Sequence, residues 1–497
     1  MATAPLPASP TGAMAHEVEL KLHVHPDDLA RLAALPLLAE RAEGAPVSSR
    51  LRTVYFDTPD LRLYGRGIAL RLRHDGTRRI QGLKTVAADP QADAAAVAVR
   101  REWEWPLDGN TGGDAIDFTR LDAEGAGALV PEDARGELMP IFATDFTRTA
   151  ALLRLDAQTS VEVAIDDGSI AAGRGDERIS EVELELKSGR IGRLFALAQE
   201  LHRAVPLRIG MESKAELGYR MVSGRAPAPV LGDPPMLSPL STVAEAFRHI
   251  VRHGLRQILA NEPCVLAGGD AEGLHRIRVA LRHLRTALTL FAPVIAPAEA
   301  TRLEHEIRWL AHRLKPARAW DVLASALPDP ALAPALAEAR SPAAERAVAA
   351  LREPRCTALL LALGVWLEEG HWHAGIARTR LDAPMADLAG PWLAARHTRA
   401  RKTETPERLR RRLRTLRYGV EFFRGLYPPA SVRPYGAALD TLYGTLDALH
   451  DLRVAEKRLA TLAGGKAVKP LERTAAQHRK ALAERVKAFR AAAVFWG

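Results

Sequence analysis

Polar and apolar residues alternate one for one along much of the first 222 positions. The segments EVELKLHV (17–24), RTVYFDT (52–58), IALRLRH (68–74), RIQGLKT (79–85), REWEWPL (101–107), SVEVAIDDGSI (160–170) and SEVELELKSG (180–189) share this period of two. In an extended chain it sends successive side chains to opposite faces. The pattern predicts an antiparallel β domain with a few helices over residues 14–222. From about Ser241 to the end, Leu and Ala recur three and four positions apart with Arg between them, which predicts an all-helical domain over 241–497. The proline-rich stretch 223–240 between them has the composition of a linker. Residues 1–13, rich in Pro, Ala and Ser and without periodicity, predict a disordered extension. The helical part repeats itself: a shift of 132 residues lays LHRIRVALRHLRTAL (274–288) on RLRRRLRTLRYGV (408–420) and HRLKPARAWDVLA (312–324) on GTLDALHDLRVAE (444–456). A unit that long predicts a duplicated helical bundle.

The alternating strands carry charge on one face. Glu17, Glu19 and Lys21 share a face opposite Val18, Leu20 and Leu22; Arg71 goes with Arg73, Glu102 with Glu104, and Glu181 with Glu183 and Glu185. One such strand would ordinarily show its charges to water. Several of them, each with an apolar back, predict instead a curved sheet with helices outside and a lumen of mixed charge inside, because a lumen of one sign would be too costly. Glutamates there suit hard divalent cations, Mg²⁺ or Mn²⁺, and the arginines and lysines suit phosphate oxygens. Together they describe a site that holds a phosphate chain and activates water against one phosphorus.

In the helical part, His275, Arg278, Arg282 and Arg285 fall within an arc of about 80° on one helix face, beside the apolar line Leu274, Ile277, Leu281, Leu284 and Leu288. Arg410, Arg414 and Arg417 repeat the stripe, with Glu407 where the histidine would be. The net charge of +9 is unevenly placed: 28 basic and 34 acidic side chains lie up to residue 230, against 41 and 26 beyond it. The basic half should attract a polyanion. An aromatic content of 5% and the absence of a helix-turn-helix or zinc-finger pattern argue for sequence-independent phosphate contact, not base stacking or specific nucleic-acid binding. Cys264 and Cys356 have no paired spacing, so no disulfide or zinc site is expected and a reducing cytoplasm fits. Neither a bilayer-spanning run nor a signal peptide is recognisable, and no membrane association is expected.

Glu17-Val-Glu19-Leu-Lys21 resembles the ExExK signature of CYTH domains, the triphosphate tunnel metalloenzymes. YFDTPD (55–60), GIALRLR (67–73), QGLKT (81–85), REWEW (101–105), DFTR (145–148), AIDDG (164–168), EVELELKSG (181–189) and SKAELGY (213–219) follow in that family's order. The resemblance implies an eight-stranded antiparallel tunnel, with Glu17, Glu19, Asp166, Glu181, Glu183 and Glu185 as metal ligands or close to them. It implies phosphate contacts from Lys21, Arg52, Arg71, Arg73, Lys84, Arg148 and Lys214, with Glu17, Glu19, Lys21 and Lys84 as catalytic candidates. Glu102 and Glu104 either touch metal or hold arginines. LHRIRVALRHLRTAL resembles the HxxR helix of CHAD domains, which implies polyphosphate binding by His275, Arg278, Arg282, Arg285, Arg410, Arg414 and Arg417, with Lys315, Arg318 and His253 as weaker candidates. The two resemblances describe an α+β multidomain protein. Its expected activity is metal-dependent hydrolysis of inorganic tripolyphosphate to pyrophosphate and phosphate, beside a domain that binds long-chain polyphosphate, in the cytoplasm or on polyphosphate granules. Thiamine triphosphate and nucleoside triphosphates, including cyclisation of ATP, are the alternative substrates. A non-catalytic polyphosphate-binding or granule-targeting protein is the alternative class.

Overall fold

The computed structural model describes residues 15–76, 78–85, 98–107, 115–123, 125–173, 175–327, 330–463 and 469–496. The extension 1–13 and the side chain of Glu17 lie outside the described residues. The chain divides into two compact units, Met1–Pro227 and Ala228–Gly497.

The first unit is an antiparallel sheet of nine strands: β1 (Ala15–Val24), β2 (Val47–Asp57), β3 (Ile68–Asp75), β4 (Arg78–Thr85), β5 (Ala98–Leu107), β6 (Met139–Arg154), β7 (Ser160–Ala172), β8 (Gly175–Ser188) and β9 (Leu207–Gly210). Their order is β5-β4-β3-β2-β6-β7-β8-β1-β9, and β5 also pairs with β1. Eight strands therefore close into a ring, which abolishes the sheet edges. The ninth takes the stretch of β1 that β5 leaves: residues 15–19 of β1 pair with β5, and Lys21–Val24 with β9. The alternation decides which side is in. Leu20, Leu22, Leu70, Leu72, Val182 and Leu184 are fully buried on the outer face, covered in part by the helix Ile191–Ala204, which buries Leu194, Phe195 and Leu201.

One end of the ring is plugged. The helix Lys214–Ser223, started by a reciprocal cap between Ser213 and Glu216, puts Ala215 and Tyr219 against the inward Tyr55, Ala69, Phe142, Phe146, Ile170 and Ile179. Gly218 makes this approach possible, since a Cβ there would fall 2.1 Å from the Phe142 ring. The inner face is thus apolar toward the plug and charged beyond it.

The second unit is helical. Val243–Gly268, Ala271–Leu290 and Pro297–Ala326 are followed by Ala333–Arg352 and Pro354–Glu368; then come Met385–Arg401, Pro406–Phe423, Pro429–Ala463 and Lys469–Ala491. Each apolar line is buried, Leu274, Ile277, Leu281 and Leu284 in one arginine helix and Leu409, Leu413, Leu416 and Val420 in the other. The expected linker is only partly free of the bundle. Asn261 accepts from Val230 N–H at 2.9 Å and donates to its carbonyl at 3.2 Å, and Leu237 is buried. From Ala228 the proline-rich segment belongs to the helical unit, because one buried amide satisfies its backbone. No helix among the described residues is long and apolar enough to cross a membrane. Both cysteines are buried and unpaired.

Candidate functional site

The charged part of the lumen is a cavity bordered by Glu19 and Lys21 of β1, Thr53 and Tyr55 of β2, Arg71 and Arg73 of β3, Lys84 of β4, Glu102 and Glu104 of β5, Thr144 and Arg148 of β6, Glu183 and Glu185 of β8, and Lys214 of the plug. Residues up to 195 positions apart (Glu19 and Lys214) meet because each strand turns the same parity inward.

Two ion-pair groups stand in it. In the first, Lys21 Nζ lies 2.9 Å from Glu181 and 2.7 Å from Glu183; Lys214 Nζ lies 2.6 Å from Asp166 and 3.0 Å from Glu183 and also bonds Glu181; Arg148 grips Asp166 through two bonds of 2.8 and 2.7 Å and reaches Glu183. Burial alone would lower the Lys21 ammonium, yet Glu181 and Glu183 outweigh it and raise it. Burial would likewise raise Glu183, but Lys21, Lys214 and Arg148 hold it well below the carboxylate range. In the second group, Arg71 bonds Glu102 and Glu104, Arg73 lies 3.3 Å from Glu104, and Lys84 lies 3.1 Å from Glu102. Glu102 and Glu104 therefore hold the basic bed.

A third cluster carries less positive charge. Glu185 pairs with Lys187 at 2.7 Å, and Lys187 lies 3.8 Å from Glu162. Burial raises the Glu185 carboxyl despite Lys187, and Glu162 and Glu19 add to the rise. Crowded carboxylates of this kind are the oxygen donors a divalent cation would relieve. Asp166, Glu181 and Glu183 also bring ligand atoms within 4.8 Å of one another, but Asp166 and Glu181 do not border the cavity, and lysine and arginine occupy all three. Of the sequence-predicted metal ligands whose side chains are described, Glu19, Glu183 and Glu185 border the cavity, and Glu162 stands beside Glu185 across Lys187.

Arg52 is not in the lumen. It is exposed on the outer face, because Thr53 and Tyr55 take the inward parity of β2. Glu162 and Lys187 were not singled out by the sequence reading, although Glu162 shares the parity of Asp166 in SVEVAIDDG.

In the helical unit the two arginine stripes face a common space. Arg278 donates to Ala311 O at 2.9 Å, Arg285 lies 3.5 Å from Glu304, and the Nε of Arg282 is buried with no partner among the described residues. Burial, with Arg282, Arg318 and Arg414 close by, lowers Arg278 to about 10. His275 is lowered to about 4 by burial, then by Arg318 and Arg282, so at neutral pH it is an uncharged donor. His253 borders the same cavity and is also lowered to about 4, first by burial and then by His283. Lys315 is exposed on the next helix.

The second stripe is paired internally. Arg410 lies 2.7 Å and Arg414 3.9 Å from Asp447; Arg417 lies 2.6 Å from Asp440 and 3.9 Å from Glu421. Asp447 falls 132 positions after Lys315, and His450 132 after Arg318. Glu407, which stands where the first copy has His275, is tied to Arg453 on the neighbouring helix. The carboxylates that oppose a ligand here are Asp440 and Asp447, and the alignment of the two copies already held that signal.

A closed antiparallel ring with an ion-paired lumen, followed by a helical unit with paired basic stripes, defines a two-domain architecture. More particularly, the CYTH domain family model matches residues 15–219 and the CHAD domain family model residues 249–460. The chain thus carries a CYTH domain followed by a CHAD domain. An inorganic triphosphatase of Haemophilus influenzae is 31% identical over 214 residues, 42% of this chain and 56% of that protein, so the chain spans little more than half of that relative. The CHAD domain of the plant Ricinus communis is 32% identical over 53% of this chain and 96% of its own, with a TM-score of 0.44. A Hippeastrum protein with a dominant triphosphatase activity is 18% identical over 42% of this chain and 96% of its own, with a TM-score of 0.30.

Proposed function

We propose that the first unit is a metal-dependent inorganic triphosphatase, hydrolysing tripolyphosphate to pyrophosphate and phosphate, and that the second unit binds long-chain polyphosphate. The observation that carries the reading is the division of one lumen into a basic bed, Arg71, Arg73 and Lys84 held by Glu102 and Glu104, and an acidic side of Glu19 and Glu185, whose carboxyl feels Glu162 behind it. The bed is pre-formed by its own carboxylates, so its cations are oriented before a phosphate chain arrives. Mg²⁺ or Mn²⁺ on the acidic cluster would polarise phosphate oxygens and the attacking water. Toward the plug, Lys21, Lys214 and Arg148 are balanced by Asp166, Glu181 and Glu183.

The inorganic substrate is favoured over nucleotides by the state of the aromatic side chains. Tyr55 stacks on Phe142 at 4.4 Å, and Phe146 lies beneath Arg148 and Lys214. Tyr55 and Phe146 are both buried, so among the described residues that border the cavity neither ring offers a face on which a base could stack. The test is phosphate release from tripolyphosphate, ATP and thiamine triphosphate with and without Mg²⁺. Glu19→Gln is expected to lower tripolyphosphate turnover by at least about a hundredfold with an unchanged melting temperature. Near-normal turnover across a range of Mg²⁺ concentrations would remove the metal assignment.

A further inference from the structure

The helix Pro406–Phe423 is basic on both sides of its core line. Arg410, Arg414 and Arg417 form the flank already described; Arg408, Arg411 and Arg412 are exposed on the other. At about 100° per residue, Arg411 stands between the two flanks on the solvent side. Next to the second flank the helix Met385–Arg401 ends in Arg399, Arg401 and Lys402, all exposed. Arg412 donates to Arg399 O and to Thr403 Oγ1, both at 2.6 Å, and Arg490 donates to Arg401 O at 3.4 Å. Those two guanidiniums have an ordinary structural task, satisfying carbonyls at the negative end of a helix. The others have none. Arg399, Arg401, Lys402, Arg408 and Arg411 form no ion pair and donate no side-chain hydrogen bond among the described residues.

The duplication supplies a control within the chain. At the positions 132 earlier, Arg399, Arg401 and Lys402 are Ala267, Gly269 and Asp270, and Arg411 and Arg412 are Val279 and Ala280. Arg408 alone keeps a basic counterpart, Arg276, which pairs with Glu272; the same helix pair forms without the other cations, so packing does not require them. Of the two acids in 396–412, Glu407 is held by Arg453. The helix that brings Arg490 lies beyond the residues the family model matches.

We propose that this flank is a second phosphate-binding surface, and that a polyphosphate chain seated in the groove passes over the helix Pro406–Phe423 onto it. The inference rests on the polyphosphate reading above. A helix with its side chains is about 10–12 Å across, so a chain of several phosphates bridges groove and flank with Arg411 between them. Polyphosphate fits better than nucleic acid because the neighbouring rings of Tyr435, Phe489 and Trp496 pack on one another and offer no stacking platform.

The test is the full chain carrying Arg399→Glu and Arg411→Glu, titrated over a salt series with long-chain polyphosphate, with a short oligophosphate of about four phosphates that fills the groove without crossing the helix, and with duplex DNA. Long-chain affinity is expected to fall about tenfold with a salt slope shallower by about two, while oligophosphate affinity and tripolyphosphate hydrolysis stay unchanged. The milder Arg399→Gln with Arg411→Gln should give a smaller loss of the same kind, which covers the case that charge reversal disturbs folding. Unchanged long-chain affinity, equal loss for both chain lengths, or loss confined to DNA overturns the proposal. Arg278→Gln with Arg282→Gln, run beside it, separates the two readings. If that variant also leaves long-chain binding intact, the groove assignment itself is wrong; if only the groove variant loses binding, the extension alone falls.

Discussion

The two copies of the arginine helix keep the same backbone plan and treat its charge in opposite ways. In the first, Arg278 and Arg282 face one another, Arg318 and a neutral His275; Arg278 donates to a backbone carbonyl, the Nε of Arg282 has no partner among the described residues, and the acid near both is Asp451. In the second, Asp447 and Asp440 stand against Arg410, Arg414 and Arg417. A guanidinium paired at 2.7 Å has already exchanged much of its attraction for an incoming anion, whereas one crowded by its own kind is relieved by it. The difference teaches that a basic stripe alone does not make a polyanion site; what stands opposite the stripe decides.

The comparison can be broken in several ways. The largest effect is expected from Arg278→Gln with Arg282→Gln, which should weaken long-chain polyphosphate binding by about thirtyfold or more, against at most about threefold for Arg410→Gln with Arg414→Gln. Equal losses in a filter-binding or calorimetric titration would abolish the distinction. Next, Asp447→Asn should strengthen binding about fivefold by releasing Arg410 and Arg414, and weaker binding would mean that Asp447 orients them for the ligand. A pH effect comes third. Burial, together with Asp447, raises Asp451 to about 6 among Arg410, Arg318 and Arg282. Below that pH Asp451 is neutral and the groove more positive, so affinity should rise a few-fold between pH 7 and 5 as the carboxylate takes up a proton. Asp451→Asn should flatten that step. His275 titrates only near 4 and contributes nothing in this window. The smallest effect is expected from Glu407→Gln, within about twofold of the parent, because Arg453 already holds that carboxylate.

Much of the lumen was legible because strand parity is arithmetic. Glu19 with Lys21, Arg71 with Arg73, Glu102 with Glu104, and Glu183 with Glu185 all border the cavity. The same arithmetic excludes Arg52, which the motif order placed among the phosphate ligands although its parity is that of Val54 and Phe56 on the outer apolar face. What parity does not carry is which cation meets which carboxylate. That Lys21 and Lys214 share Glu181 and Glu183 depends on how the plug enters the ring, and that Glu102 serves Arg71 and Lys84 depends on the register of β3, β4 and β5. The ninth strand, only four residues long, lacks the length for a periodic signal. The proline-rich segment misleads for a different reason: its composition is that of a tether, and distant residues fasten it, Asn261 at Val230 and Arg424 at Met236, with Leu237 buried.

Lys214 has one further consequence, best seen from the viewpoint of protein engineering. Its ammonium is a counter-ion carried on the chain itself, delivered by the plug to Asp166, Glu181 and Glu183. A variant such as Lys214→Met would leave these three acids, with ligand atoms within 4.8 Å, short of one positive charge in a site where an uncompensated buried charge costs about 3–5 kcal/mol. A captured proton or a captured divalent ion would be the remedy. The plug thus fills the inner acids from the chain itself, so that a solvent cation competes there with a tethered ammonium.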